Sequence, residues 1–109
     1  MATIFKLKIS KDARRDLRKL YDYIAENFLA PETAEAQAAR IVNAIRSLVQ
    51  FPLRYKLCDD DLLRKENIRS FHVNKYNVFY TVHEESAIVE ILRIAHGSMN
   101  ISRLFMINN

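Results

Sequence analysis

A chain of 109 residues holds one hydrophobic core and not two, and with half its residues hydrophobic, one glycine and two prolines, it is one folded domain over residues 1–109 and not a disordered chain. Seventeen Lys and Arg against 13 Asp and Glu leave a formal charge of +4 and a pI near 9.4, which suits an acidic partner, nucleic acid or polypeptide, without requiring one. The single cysteine, Cys58, excludes a disulfide framework, and with no opening signal sequence and no apolar run of membrane-spanning length a reducing cytoplasm is the expected location.

In chain order, Thr3 to Ile9 alternates, with Phe5, Leu7 and Ile9 inward and Lys6 and Lys8 toward water, which predicts a half-buried strand. Ser10 is placed to cap a helix that runs to about Asn27, with Asp12 in its first turn. Ala13, Leu17, Leu20, Ile24 and Phe28 recur at helical spacing and predict its apolar stripe. Lys11, Arg14, Arg15, Arg18 and Lys19 lie largely outside it, interspersed with Asp12, Asp16, Asp22 and Glu26. Pairing at three- and four-residue steps is the expectation for these charges, a solvated face being the preferred reading over a ridge that contacts phosphate.

Pro31 opens a second helix, expected from about Glu32 to Gln50 and ending ahead of Pro52, with Ala34, Ala38, Ile41, Ile45 and Leu48 inward. Its early alanines allow close approach to the first helix, so the two are expected to form a helical hairpin. Phe51 to Lys56 is a basic and aromatic connection in which Arg54, Tyr55 and Lys56 either contact a base and phosphate or simply pack as a surface loop. Asp59, Asp60 and Asp61 lack the spacing and glycine of a calcium loop and are expected as a turn and N-cap before one helical turn at 62–66.

Ile68 to Gly97 contains three runs rich in β-branched and aromatic residues, divided by short polar breaks, which predicts an antiparallel meander. In one strand Tyr76, Val78, Tyr80 and Val82 share a face; in the next, Val89, Ile91, Arg93 and Ala95 do. Helices are expected over one side of this sheet and a wetted functional surface on the other. The resulting class is α+β, β-α-α-β-β-β, a helical hairpin on a small, mainly antiparallel sheet. One glycine rules out a phosphate-cradling loop, and the dispersed His72, His83 and His96 make no zinc site. No cofactor or metal is expected. Arg69 and Arg93 are expected to share a neighbourhood if their strands pair closely, forming with Tyr and His a receiver for phosphate or carboxylate; the structural alternative is that each pairs with a local acid such as Glu90 or stays solvated.

Strand, hairpin, Ile68-Arg-Ser-Phe-His-Val-Asn-Lys-Tyr-Asn-Val-Phe-Tyr-Thr-Val82 and Ile88-Val-Glu-Ile-Leu-Arg-Ile-Ala-His-Gly97 together resemble the RelE/ParE superfamily of toxins from type II toxin–antitoxin systems. The resemblance covers Phe5 to Gly97 and is carried by Arg69, by Tyr76 with Val78, Phe79 and Tyr80, by Arg93 with His96 and Gly97, and by Pro52 after the second helix. It implies a toxin that inhibits growth, of the kind associated with plasmid stabilisation. The RelE-like branch cuts mRNA on the ribosome and needs a base, an acid and cations together. Here Asn77 stands where those nucleases often carry Arg, Ser98-Met-Asn100 follows the Gly, and Leu104 and Phe105 occupy the end where a Tyr or His is wanted. The resemblance is therefore closer to the ParE branch, which inhibits DNA gyrase and is not an enzyme of RNA cleavage. A metal-independent endoribonuclease using Arg69, His72, Tyr80, Arg93 and His96 is the alternative, and a non-toxic binding module is a third reading. Candidate residues for binding target or antitoxin are Arg54, Tyr55, Lys56, Arg69, Lys75, Arg93 and His96. The implied partners are gyrase, or the ribosome and its mRNA, and a DNA-binding antitoxin with an acidic carboxyl-terminal segment. The tail from Ile101 to Asn109 is apolar enough to pack on the sheet or helices, or to be reordered by the partner.

Overall fold

Ser10 ends the first strand and begins the first helix in one step: its hydroxyl accepts from the Ala13 amide at 3.0 Å and donates to the Leu92 carbonyl at 2.9 Å. The computed structural model describes residues 4–105, so Thr3 and the tail residues 106–109 lie outside the described part. The elements are β1 (Lys6–Ile9), α1 (Lys11–Asn27), α2 (Pro31–Ser47), a 3-10 turn (Pro52–Arg54), α3 (Asp61–Lys65), β2 (Arg69–Val73), β3 (Tyr76–His83), β4 (Ile88–His96) and α4 (Ile101–Leu104). The sheet order is β1-β4-β3-β2. β1 runs parallel to β4, while β2, β3 and β4 form the antiparallel meander.

The strand, the hairpin and the meander are thus where the residue pattern places them. Asp60 is the N-cap of α3, accepting from the Leu62 and Leu63 amides, and Pro31 is the first residue of α2. α2 ends at Ser47, earlier than Gln50, because the chain turns at Leu48 to Gln50 before Phe51 takes a left-handed backbone ahead of Pro52. Phe28 leaves the apolar stripe: it is the C-cap of α1, 63 % exposed, and rests edge-on against Tyr23 instead of on the core.

The principal core joins Ala13 and Leu20 of α1 and Ile41 and Ile45 of α2 to Phe71, Val78, Tyr80, Val89, Ile91 and Ile94 of the sheet. Ile41, Ile45 and Ile91 are at most 1 % exposed, and burial of each contributes roughly 2–3 kcal/mol. Alternation along β4 fails at one place. Phe79 pairs with Arg93 and Tyr80 with Ile91, so Leu92 has no partner and forms a bulge. Beyond it the phase reverses: Ile94, not Arg93 or Ala95, joins Val89 and Ile91 on the helical side. The outer face is not left open to water as expected. Phe79 and Ala95 there are covered by Cys58, Leu63, Ile68 and Leu104, with Phe105 edge-on to Phe79 at 5.3 Å. Burial pushes the Cys58 thiol above its ordinary pKa, which leaves it a small hydrophobe.

Candidate functional site

The residues singled out from sequence fall into two neighbourhoods. The first is the start of β2, where the 50–57 connection crosses the sheet. Tyr80 is fully buried and its hydroxyl donates to the Pro52 carbonyl at 2.6 Å. Burial, opposed in part by the nearby Arg69 and Arg54 charges, pushes its pKa up to about 12. Arg69 donates to the carbonyls of Tyr55 at 2.6 Å and Leu53 at 3.4 Å. Arg54 closes the carboxyl end of α2, reaching the carbonyls of Ser47 and Gln50 and the Ser47 hydroxyl. Its guanidinium also lies over Tyr55, whose ring stacks on Phe71 at 4.5 Å. Each of these groups holds the connection in place: Tyr80 is out of reach of solvent, and Arg69 spends its charge on backbone oxygens. Lys56 is exposed beside them, and His72 is exposed on β2 opposite Asn77.

The second neighbourhood is a groove of about 730 Å³ between α1 and the far end of β4. Leu20, Tyr23, Ile24 and Phe28 line its α1 side, Tyr76, Ile94 and Ala95 its sheet side, and Met99 one end. Lys19, Lys75 and His96 supply positive or protonatable groups at its margin. Gly97 brings the two strand ends together, its amide donating to the Lys75 carbonyl at 2.8 Å. A Cβ there would stand 3.4 Å from that oxygen, an ordinary contact, so this turn does not itself demand glycine. Burial raises the pKa of Tyr76, and His96 lies edge-on to its ring at 5.6 Å. The Ser98 amide donates to His96 Nδ1 at 3.1 Å, which assigns the proton of the neutral ring to Nε2.

Arg93 enters this groove already neutralised. Asp16 of α1 accepts from its Nε at 2.7 Å and from a terminal nitrogen at 2.9 Å, and also takes the Ile94 amide at 2.9 Å. The bonds to Asp16 hold the Arg93 guanidinium above its usual pKa against the opposing effect of burial. A further guanidinium nitrogen donates to the Leu104 carbonyl, tying α4 to the same point. Arg93 and Arg69 therefore do not form the shared anion receiver expected from their strands: one is committed to Asp16 and the other to the 53–55 backbone. Glu90, the local acid considered for them, instead meets His83 Nε2 at 2.9 Å. Among the described residues no three His, Cys, Asp or Glu side chains gather closely enough to share a metal ion.

The sequence matches the family described as the ParE toxin of type II toxin–antitoxin system, parDE, over residues 7–101. The chain belongs to the ParE toxin family. Among solved structures it resembles a chain of the chromosomal ParDE system of P. aeruginosa, with 21 % identity, a TM-score of 0.71, and coverage of 87 % of this chain and 98 % of that one. A chain of the RelBE2 toxin–antitoxin complex of Mycobacterium tuberculosis is 28 % identical, with a TM-score of 0.60 and coverage of 85 % and 98 %. A mutant E. coli RelE in the free state aligns at 14 % identity and a TM-score of 0.63, covering 97 % and 93 %. The fold is thus that of the wider RelE/ParE superfamily. A search of curated proteins finds no match.

Sequence reasoning missed Asp16, Lys19, Tyr23 and Met99 as parts of the groove. For Asp16 a signal exists: it stands three residues after Ala13 and four before Leu20. A carboxylate in line with the apolar stripe needs a partner reaching in from another element.

Proposed function

We propose that this ParE-family chain is a toxin that arrests growth by binding its target, DNA gyrase, and not by cutting RNA. The observation that carries this reading is the committed state of the chemically capable residues: Tyr80 is buried on Pro52, Arg69 binds backbone carbonyls and Arg93 is paired with Asp16. Cleavage through a ribose 2′-hydroxyl needs a base, an acid and an unpaired cation around one phosphate. His96 and Lys75 in the groove and His72 on β2 are what remains, and His96 presents an N–H where a base would present a lone pair. The choice of gyrase rests on the likeness to the ParE branch.

A cognate antitoxin neutralises it in the cytoplasm, a reading supported by the family and by the toxin–antitoxin complexes among its structural neighbours. Among the described residues no helix is long and apolar enough to cross a membrane. The groove has the chemistry to receive the antitoxin's acidic carboxyl-terminal segment, with apolar anchors against Tyr23, Ile24 and Tyr76 and carboxylates at Lys19 and Lys75. Induced expression without antitoxin, read for gyrase-linked DNA breaks with SOS induction and for mRNA integrity, tests the function. Breaks with intact mRNA support it; ribosome-dependent mRNA cuts lost in Arg93→Ala would establish the RelE-like alternative, and unhindered growth would leave a binding module only.

A further inference from the structure

One acid of α1 meets the expected helical pairing and another is drawn to the sheet. Asp16 is held by Arg93 and the Ile94 amide, and Asp12 pairs with Arg15. Among the described residues no carboxylate lies within ion-pair distance of Lys11, Arg14 or Arg18. These three stand at i, i+3 and i+7, one face of the helix, and all are exposed. Arg14 Nε donates to the Ile9 carbonyl at 3.3 Å, fixing this side chain beside the end of β1. Arg46, exposed in the last turn of α2, borders the same cleft of about 230 Å³ as Arg14. Arg14 and Arg18 in turn border an open trough of about 620 Å³ with Tyr21, Asp22 and Ala38.

We propose that Lys11, Arg14, Arg18 and Arg46 form a contact strip for the phosphate backbone of duplex DNA. Lys11 to Arg18 spans about 10 Å of helix axis, the rise of roughly three successive phosphates on one strand. Guanidinium and ammonium groups meet phosphates as charge, so the expected contact is independent of sequence. It lies apart from the groove, whose α1 lining is Asp16, Lys19, Leu20, Tyr23, Ile24 and the capping Phe28. One helix therefore carries residues of both surfaces. The choice of DNA over RNA rests on the gyrase reading, since an inhibitor seated on that enzyme lies beside the duplex it handles.

Fluorescence anisotropy of a labelled 20-base-pair DNA duplex with the purified chain tests the strip. Four phosphate contacts predict a slope of about −3 to −4 in the logarithm of affinity against that of salt concentration. The double variant Arg14→Gln/Arg18→Gln is expected to flatten that slope by about two, whereas Lys65→Gln/Arg103→Gln, equal in charge lost, leaves it unchanged. Circular dichroism confirms that both fold. Equal losses from the two doubles would reduce the effect to net charge and overturn the proposal, as would tighter binding to an RNA duplex of the same length. DNA breaks and SOS induction that persist in a chain without duplex binding would sink the strip and leave the gyrase reading standing; a strip that binds in a chain without SOS induction would do the reverse.

Discussion

Replacing Tyr80 with Phe separates a structural from a catalytic role for the most chemically suggestive residue of the sheet. The substitution keeps the ring on Phe71, which meets it edge-on at 5.9 Å, and removes only the hydroxyl that donates to Pro52. A buried carbonyl without its donor is expected to cost about 1–2 kcal/mol, or roughly 5–10 °C in Tm for a domain of this size. The pH dependence makes the test sharper. An unfolded phenol ionises near its model value of 10.0, whereas the folded one holds its proton to about 12. Between these values the native state binds more protons than the unfolded state, so stability contributed by Tyr80 is full below pH 10 and falls as pH rises toward 12. The two-unit window corresponds to about 2–3 kcal/mol. Urea titrations are expected to favour wild type over Tyr80→Phe by the hydrogen bond at neutral pH and to cross as pH approaches 12, since the linked loss exceeds that bond, while induced growth arrest is unchanged. Equal stability at neutral pH, parallel curves through pH 12, or lost toxicity in a variant of wild-type stability would refute the reasoning.

Asp16→Asn leaves Arg93 half-buried without its carboxylate, where side-chain exposures of 22 % for Arg93 and 11 % for Asp16 describe the present pair; urea unfolding is expected to show a loss of about 2–4 kcal/mol. Ser10→Ala removes both the α1 cap and the bond to Leu92, with an expected cost of about 1–2 kcal/mol by the same measurement. Arg69→Ala frees the carbonyls of residues 53 and 55, so limited proteolysis is expected to cut the 50–57 connection faster while the helices stay protected. Lys19→Glu/Lys75→Glu is expected to weaken antitoxin binding by at least about tenfold, close to 1.4 kcal/mol, in calorimetry.

Most of the architecture was legible because its signals are local. Ser10 and Asp60 are caps with their helices directly after them, Pro31 and Pro52 punctuate, and the runs from Ile68 to Gly97 carry strand chemistry between polar turns. Phe28 was misplaced because periodicity continues past a helix end even when the chain does not. Its backbone leaves the helical region at the cap, and Leu29 then takes a positive φ of 48°. The pairing of charges along α1 held for Asp12 with Arg15 and failed for Asp16, for a different reason. Helical spacing states which charges are able to meet, not whether a stronger partner reaches one of them from 77 residues away, as Arg93 reaches Asp16.

The site was less legible because a single unpaired residue governs it. With perfect alternation Arg93 would share a face with Ile91 and stand among the core residues beneath the helices, a position no guanidinium keeps without a buried acid. The bulge at Leu92 supplies the extra residue that returns Ile94 to the core and releases Arg93 toward Asp16. That one slip empties the sheet of its expected arginine cluster and gives Asp16 a partner outside its own helix. It also ties α4 to the wall of the groove through the Leu104 carbonyl. Composition carries no trace of it, and only the register against β3 reveals which residue was left over. The buried Ile94 and the committed Arg93 are thus two consequences of one irregularity, and restoring regular pairing would have to undo both together.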